Sequence, residues 1–146
     1  FIWETFASHY IELVKNRAYN SSKNFTQQEQ NSALYTLHFC LENLLKLLAP
    51  IIPLITYKIY KDLKGEDIHS ETFPKKEKEF KIKFKKEDII ALNGKIWKEK
   101  QKKNKSLKDE IKILHLPNKF KEMVKDIQLT HNAKKIKFST KLKVEF

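Results

Sequence analysis

A leucine ladder cut off by a proline constrains this chain more than any other feature. Leu34, Leu37, Leu41, Leu44 and Leu48 recur at spacings of three and four, the period of one helix face, until Pro50 removes the backbone donor that the next turn needs. A stripe of that kind must pack on another element. Thr26-Gln-Gln-Glu29 lies just before it, a capping-box pattern in which hydroxyl and carboxylate satisfy two orphan amides reciprocally, so the helix is expected to begin there. On the N-terminal side, Ile2, Phe6, Tyr10, Leu13 and Arg17 keep helical spacing through a stretch free of Pro and Gly, with Trp3 and Val14 widening the stripe. Asn20 to Phe25 is then a polar loop. On the C-terminal side, Pro53 suits a first helical turn, Ile55, Ile59 and Leu63 form a third stripe, and Gly65 supplies the left-handed position that ends it. The spacing predicts three short-linked antiparallel helices.

Beyond a polar connector from Asp67 to Glu79 the period changes. Phe80, Ile82 and Phe84 alternate with Lys81, Lys83 and Lys85, as in a half-buried strand with one cationic face. Glu87 and Asp88 place acids where a helix N-terminus favours them, and Ile89, Leu92 and Ile96 form the narrow stripe of a fourth helix running toward Asn104. Ile111 to Leu116 is a buried strand, Pro117 opens a helix carrying Phe120, Val124 and Ile127, and Ile136 to Phe138 with Leu142 to Phe146 are closing strands. The fold class expected is mainly α with a small α+β part: an antiparallel helical bundle over 1–74, then a basic α+β subdomain over 75–146. A chain of 146 residues can bury a modest core, and two glycines with four prolines exclude a loop-rich or low-complexity chain. It starts at Phe1 and its single methionine is Met123, which points to a piece excised from a larger protein.

Charge follows the same division. Residues 1–74 hold 7 Lys/Arg against 8 Asp/Glu, whereas residues 75–146 hold 23 against 10, so the second part alone carries the net charge of +12. A field of that sign attracts polyanions, and nucleic acid or an anionic membrane face are the candidate partners. The longest apolar stretch, Leu44 to Ile55, is interrupted by Lys46, Pro50 and Pro53, so no membrane span is expected, and the interrupted N-terminus does not resemble a signal peptide. A cytoplasmic compartment follows. Cys40 sits alone among leucines as a small hydrophobe, and the triplets at Asn20, Asn24 and Asn104 are chance glycosylation motifs in an Asn/Ser/Lys-rich chain.

Catalytic patterns are missing. His9, His38, His69, His115 and His131 lack a second His or Cys at ligand spacing, so no metal site is assigned. Gly65 and Gly94 are too isolated for a phosphate-cradling loop, and adjacent acids such as Asp109 and Glu110 belong to a solvated segment. No catalytic residue and no cofactor are assigned to this segment.

Several stretches carry a resemblance. Phe1-Ile-Trp-Glu-Thr-Phe-Ala-Ser-His-Tyr-Ile-Glu-Leu-Val-Lys-Asn-Arg17, Ser32-Ala-Leu-Tyr-Thr-Leu-His38, Leu48-Ala-Pro-Ile-Ile-Pro-Leu-Ile-Thr56 and Gly65-Glu-Asp-Ile-His-Ser-Glu-Thr-Phe-Pro-Lys75 resemble the anticodon-binding helical domain of class I aminoacyl-tRNA synthetases of the valine, isoleucine and leucine group. The combination of Tyr10-Ile-Glu-Leu-Val-Lys15, the Ser32 stretch and Ile68-His69 with Phe73-Pro74 is most similar to the valine branch of archaeal and eukaryotic type. Ile96-Trp-Lys-Glu-Lys-Gln-Lys-Lys-Asn-Lys-Ser-Leu-Lys108 resembles the helix and turn leading into that family's C-terminal α+β subdomain, with Lys105 where the family usually has Gly. Tyr57-Lys58 departs too, standing where acidic residues are common. The HIGH and KMSKS signatures of the family's ATP site are absent, as expected if catalytic and editing domains lie upstream in the same chain.

The resemblance implies a cytosolic, monomeric ligase that joins valine to its tRNA with ATP and magnesium, this segment holding the anticodon stem and loop; the isoleucine and leucine branches are the alternative. The RNA-contacting candidates are Lys15 and Arg17 near the N-terminus, and Lys95, Trp97, Lys98, Lys102 and Lys105 on the fourth helix. At about 100° per residue the four lysines from Lys95 to Lys105 share a face opposite Ile89, Leu92 and Ile96, where they can meet phosphates, while Trp97 is a candidate base-stacking ring. Two rivals remain. A general nucleic-acid binder predicts no preference for tRNA, and a membrane-surface or helix-scaffold protein needs the leucine stripe free.

Overall fold

The computed structural model describes residues 2–76 and 84–146 and is mostly helical with one small sheet. The chain divides into two compact units, one formed by 1–25 together with 81–146, the other by 26–80. The charge boundary at Pro74 falls close to one edge of the second unit. The N-terminal helix, however, groups with the basic C-terminal region and not with the leucine helices, because Leu13 is fully buried in that region's core.

In the first unit, Ile2–Ile11 winds loosely as a π-helix and continues as α1, Glu12–Tyr19. Ser8 Oγ donates to the Trp3 carbonyl five residues back, 2.9 Å away. The looser winding shifts the inward face from the one that a 3.6-residue period predicts: His9 is buried, while Ile2 and Trp3 are exposed. Asn20, at φ 46°, ends α1, and its side-chain amide clasps Phe25 through that residue's backbone N–H and carbonyl. Next comes α4, Lys86–Lys102, its N-terminus capped by the Asp88 carboxylate, which accepts from the Lys85 N–H at 2.9 Å. Strand β1, Ile111–Pro117, leads through a 3₁₀ segment at Asn118–Met123 into α5, Val124–Thr130, then β2, Ala133–Ser139, and β3, Lys143–Glu145. The sheet order is β2-β1-β3, with β1 parallel to β2 and antiparallel to β3. Pairing β1 with β2 in parallel requires a crossover, and the helical segments supply it.

This unit has the deeper core. Leu13, Ile96, Ile111, Leu114 and Leu116 are fully buried, joined by Leu92, Phe120 and Ile127. Phe84 packs against Phe120 at 5.8 Å between ring centroids; the rest of the expected strand, from Phe80 to Lys83, lies outside the described residues.

The second unit holds α2, Gln27–Leu48, and α3, Pro53–Lys64. Thr26 and Glu29 form the expected capping box, Pro53 opens α3, and Gly65 closes it at φ 78°. The buried faces differ from those that leucine and isoleucine spacing predicts. On α2 the closed residues are Ala33, Leu45 and, just past its end, Ala49, with Leu41 left 37% exposed. On α3 they are Thr56 and Tyr60, whereas Ile55, Ile59 and Leu63 are exposed. The Thr56 hydroxyl is satisfied by the Ile52 carbonyl and Tyr60 packs on Leu45, Ala49 and Ile68, so a polar-looking pair of residues faces inward. An ion-pair cluster flanks this core: Lys46 bridges Glu42 and Glu71 at 3.1 and 2.8 Å, and Lys64 meets Glu42 at 3.0 Å. The Lys64 and Lys46 ammoniums hold the Glu42 carboxyl below its ordinary range.

Candidate nucleic-acid interface

On α4, Leu92 and Ile96 are drawn into the core and Ile89 packs at its edge, which turns Lys95, Lys98 and Lys102 outward. All three are exposed, on the face that the spacing predicts. They border a groove of about 570 Å³ between α4 and the β3 region, closed on its far side by Leu142, Lys143 and Val144. Lys95 and Leu142 also line an adjoining cleft that continues toward Lys119 and Lys141. Lys102 pairs with Glu99 at 2.7 Å and Lys119 with Asp88 at 2.6 Å. Lys95, Lys98 and Lys141 have no ion-pair partner among the described residues.

Lys105 does not extend this ridge. The helix stops at Lys102, Asn104 takes the left-handed conformation at φ 53°, and a Schellman closure forms from Asn104 N–H to Gln101 and Lys105 N–H to Lys100. Lys105 is half-buried instead, its ammonium 5.3 Å above the Phe146 ring. Trp97 is half-buried as well, its ring stacked on His9 at 5.4 Å and 14°. Lys15 pairs with Glu12. Arg17 forks onto the buried Asp126 carboxylate, its guanidinium 5.4 Å over the Phe25 ring. Of the seven candidates, then, the structure sets Lys95, Lys98 and Lys102 together on one open ridge and gives Lys105, Trp97, Lys15 and Arg17 partners elsewhere.

Residues 1–115 match the family model described as the anticodon-binding domain of tRNA ligase. The chain belongs to that family. It is 36% identical over 142 residues to a valine–tRNA ligase of Pyrobaculum aerophilum, covering 94% of this chain and 18% of that protein. It is 35% identical over 138 residues to that of Aeropyrum pernix, covering 90% and 17%. A third relative, the valine–tRNA ligase of Nanoarchaeum equitans, is 35% identical over 133 residues, covering 90% and 16%. The chain thus spans less than a fifth of the length of these relatives.

Under the ridge of this anticodon-binding-family domain lies a buried polar chain that periodicity in apolar residues passed over. Lys100 is fully buried, its ammonium held by the carbonyls of Leu107, Asp109 and His131 at 2.6, 2.7 and 3.0 Å. Burial pushes its pKa below the ordinary lysine value. Asn93 donates to His9 Nδ1 at 3.1 Å and accepts from His131 Nε2 at 2.9 Å, which fixes the His131 proton on Nε2. Burial, aided by the Lys100 charge, lowers the His131 pKa to about 4. The signal was there: Leu92, Ile96 and Lys100 are spaced by four, so Lys100 continues the core stripe. Trp3, expected to widen an inward stripe, is instead exposed, as are Tyr19 and Tyr35.

Gly65 caps α3 and Gly94 lies inside α4, so neither builds a phosphate-cradling loop. Among the described residues there is no group of three His, Cys, Asp or Glu that could hold a metal, and no helix is long and apolar enough to cross a membrane.

Proposed function

We propose that this chain is the tRNA-holding part of a valine–tRNA ligase. It grips the anticodon stem and loop while adenylation of valine, with ATP and magnesium, takes place in regions that its relatives possess outside the matched span. The observation that carries this reading is the open ridge of Lys95, Lys98 and Lys102 beside its groove, set within a region of anticodon-binding family. Lysine ammoniums spaced along about 10 Å of helix suit a row of phosphates, and such contacts position an RNA without reading its bases. Arg17 braces the fold against Asp126, and Lys105 secures the C-terminal ring, so phosphate binding falls on the three exposed lysines. The same reading makes α2 and α3 part of an antiparallel bundle, the domain monomeric, the compartment cytoplasmic and the RNA specific for valine.

The test is competition binding at fixed salt between valine-specific tRNA and other folded RNAs, followed by salt titration. Changing Lys95, Lys98 and Lys102 together to Ala is expected to weaken tRNA binding and flatten log K against log salt by about 0.7 to 0.9 for each phosphate that a lysine no longer neutralises. A triple variant with wild-type affinity and slope overturns the assignment of the ridge. Equal affinity for every RNA favours a general RNA binder.

A further inference from the structure

At its start the three-stranded sheet is covered on both sides, since Ile111 and its partner Ala133 are both buried in the core, but from Ile113 onward one face packs on the core and the other is open. Leu114, opposite Ile136 on β2 and Val144 on β3, belongs to the packed side. The alternate residues therefore share the other side. There, His115 lies opposite Lys137 on β2 and Lys143 on β3, and Ile113 lies opposite Lys135 and Glu145. One row reads Lys137-His115-Lys143 across the strands, and the next Lys135-Ile113-Glu145.

Charge on this face is unbalanced. Glu145 accepts from both Lys143 and His115, at 2.8 and 3.1 Å, so Lys143 is neutralised and held in place. The Lys143 ammonium, with His115 adding to it, keeps the Glu145 carboxyl below its ordinary range. Lys135 and Lys137 are exposed, about 7 Å apart along their strand, and neither has an ion-pair or hydrogen-bonding partner for its ammonium among the described residues. Opposite charges are the stabilising choice for neighbours on a sheet face. Two adjacent lysines without an acid repel each other weakly through water, and an anion lying against them turns that repulsion into attraction.

The position of Lys143 joins this face to the ridge. It lines the groove opposite Lys95, Lys98 and Lys102, and it sits in the sheet row that ends at Lys137, two strand spacings or about 10 Å away. The unpaired cations of α4 and of β2 thus lie on either side of the charge-balanced Lys143–Glu145 pair on β3, a span longer than the helix alone provides.

We propose that the open sheet face is a second phosphate-binding surface for the same RNA: Lys135 and Lys137 contact its backbone directly, and Lys143, positioned by Glu145, bridges to the helix ridge. This rests on the reading of the ridge as an RNA contact. Lysines on an edge strand have another use, blocking edge-to-edge association, and that use requires no RNA.

Salt titrations of the 146-residue chain with a valine-specific tRNA transcript separate these possibilities. Lys135→Ala with Lys137→Ala is expected to lower the salt slope by about 1.4 to 1.8 and to weaken binding roughly ten- to fifty-fold at about 0.1 M salt, because two phosphates are no longer neutralised. Lys135→Arg with Lys137→Arg should keep both affinity and slope. Wild-type affinity and slope in the alanine pair, while the α4 triple variant weakens, overturns the sheet proposal and leaves the ridge reading intact. The reverse pattern overturns the ridge reading, and with it the proposal of a second surface that extends the ridge. Weaker binding at an unchanged slope, or aggregation with unchanged binding, assigns these lysines to fold or edge protection and overturns the proposal. So does weaker binding to phosphatidylserine vesicles when tRNA binding is unchanged.

Discussion

The two compact units solve the same problem of burial in different ways. The sheet-containing unit closes completely over Leu13, Ile96, Ile111, Leu114 and Leu116, and it carries polar groups into that interior with every partner in place: Lys100 on three carbonyls, Asn93 between two histidines, Asp126 under Arg17. The α2–α3 unit centres on Leu45, Ala49, Tyr60 and Ile68, and its charged network of Glu42, Lys46, Lys64 and Glu71 lies at the margin. Buried polar networks specify one arrangement because any other leaves groups unsatisfied, whereas marginal ion pairs are interchangeable with water. The unit with the cationic ridge is therefore the one built to hold its surface charges in fixed positions.

Truncating the cores breaks or sustains this comparison with the largest effect. Leu114→Ala, at a fully buried site, is expected to cost about 2 to 5 kcal/mol, while Leu41→Ala, more than a third exposed, costs under about 1 kcal/mol. Urea denaturation midpoints decide it, and equal losses would mean that the leucine ladder is as much a core as the sheet. Charged pairs give a similar contrast. Arg17→Ala leaves the Asp126 carboxylate buried without its counter-charge, at a cost of about 3 kcal/mol, whereas Lys64→Ala should leave the midpoint near wild type because Glu42 keeps Lys46.

The leucine helices also mark how much was legible in the sequence. Helix ends were clear because they depend on local chemistry: Thr26 with Glu29, Pro53 and Gly65 all stand where capping needs them. The inward faces were not. Tyr60 is amphipathic and Thr56 can return its hydroxyl to its own helix, so both bury readily while Ile55 and Ile59 stay outside. For the candidate site, the exposure of Lys95, Lys98 and Lys102 followed from the opposing apolar stripe. Lys105 did not follow, because the left-handed turn at Asn104 ends the helix before it; Asn104 is a residue type that takes such a cap, as Asn20 does for α1, and placing Lys105 on the helix face extended the period past that stop. Arg17 was misleading for a different reason: its acid partner lies 109 positions away.

A medium-sized effect comes from pH. The folded His131 pKa of about 4 lies below the unfolded value near 6.5, so the unfolded chain binds the proton more tightly between those values. Stability from this group is full above about pH 6.5 and falls away as pH drops toward 4, by about 2 kcal/mol at pH 5. Denaturation curves at about pH 7 and about pH 5 should show that decline in the wild type and much less of it in His131→Asn. An equal decline in both would remove the buried network from the account of the sheet unit's stability.

The smallest effect has the most telling sign. Lys95 and Lys98 lack ion-pair partners among the described residues and lie on one helix face, so in the free protein they contribute repulsion and no packing of consequence. Replacing both with Ala should leave the denaturation midpoint unchanged at high salt and raise it slightly at low salt, where repulsion is unscreened. Affinity for RNA should move the other way, falling most at low salt, because the charges that repel each other are those a phosphate backbone would neutralise. A surface lysine kept only for solubility gives no such opposition. If stability and affinity both fall in this variant, the ridge is part of the fold's support and the contrast between a rigid core and its unpaired surface charge fails.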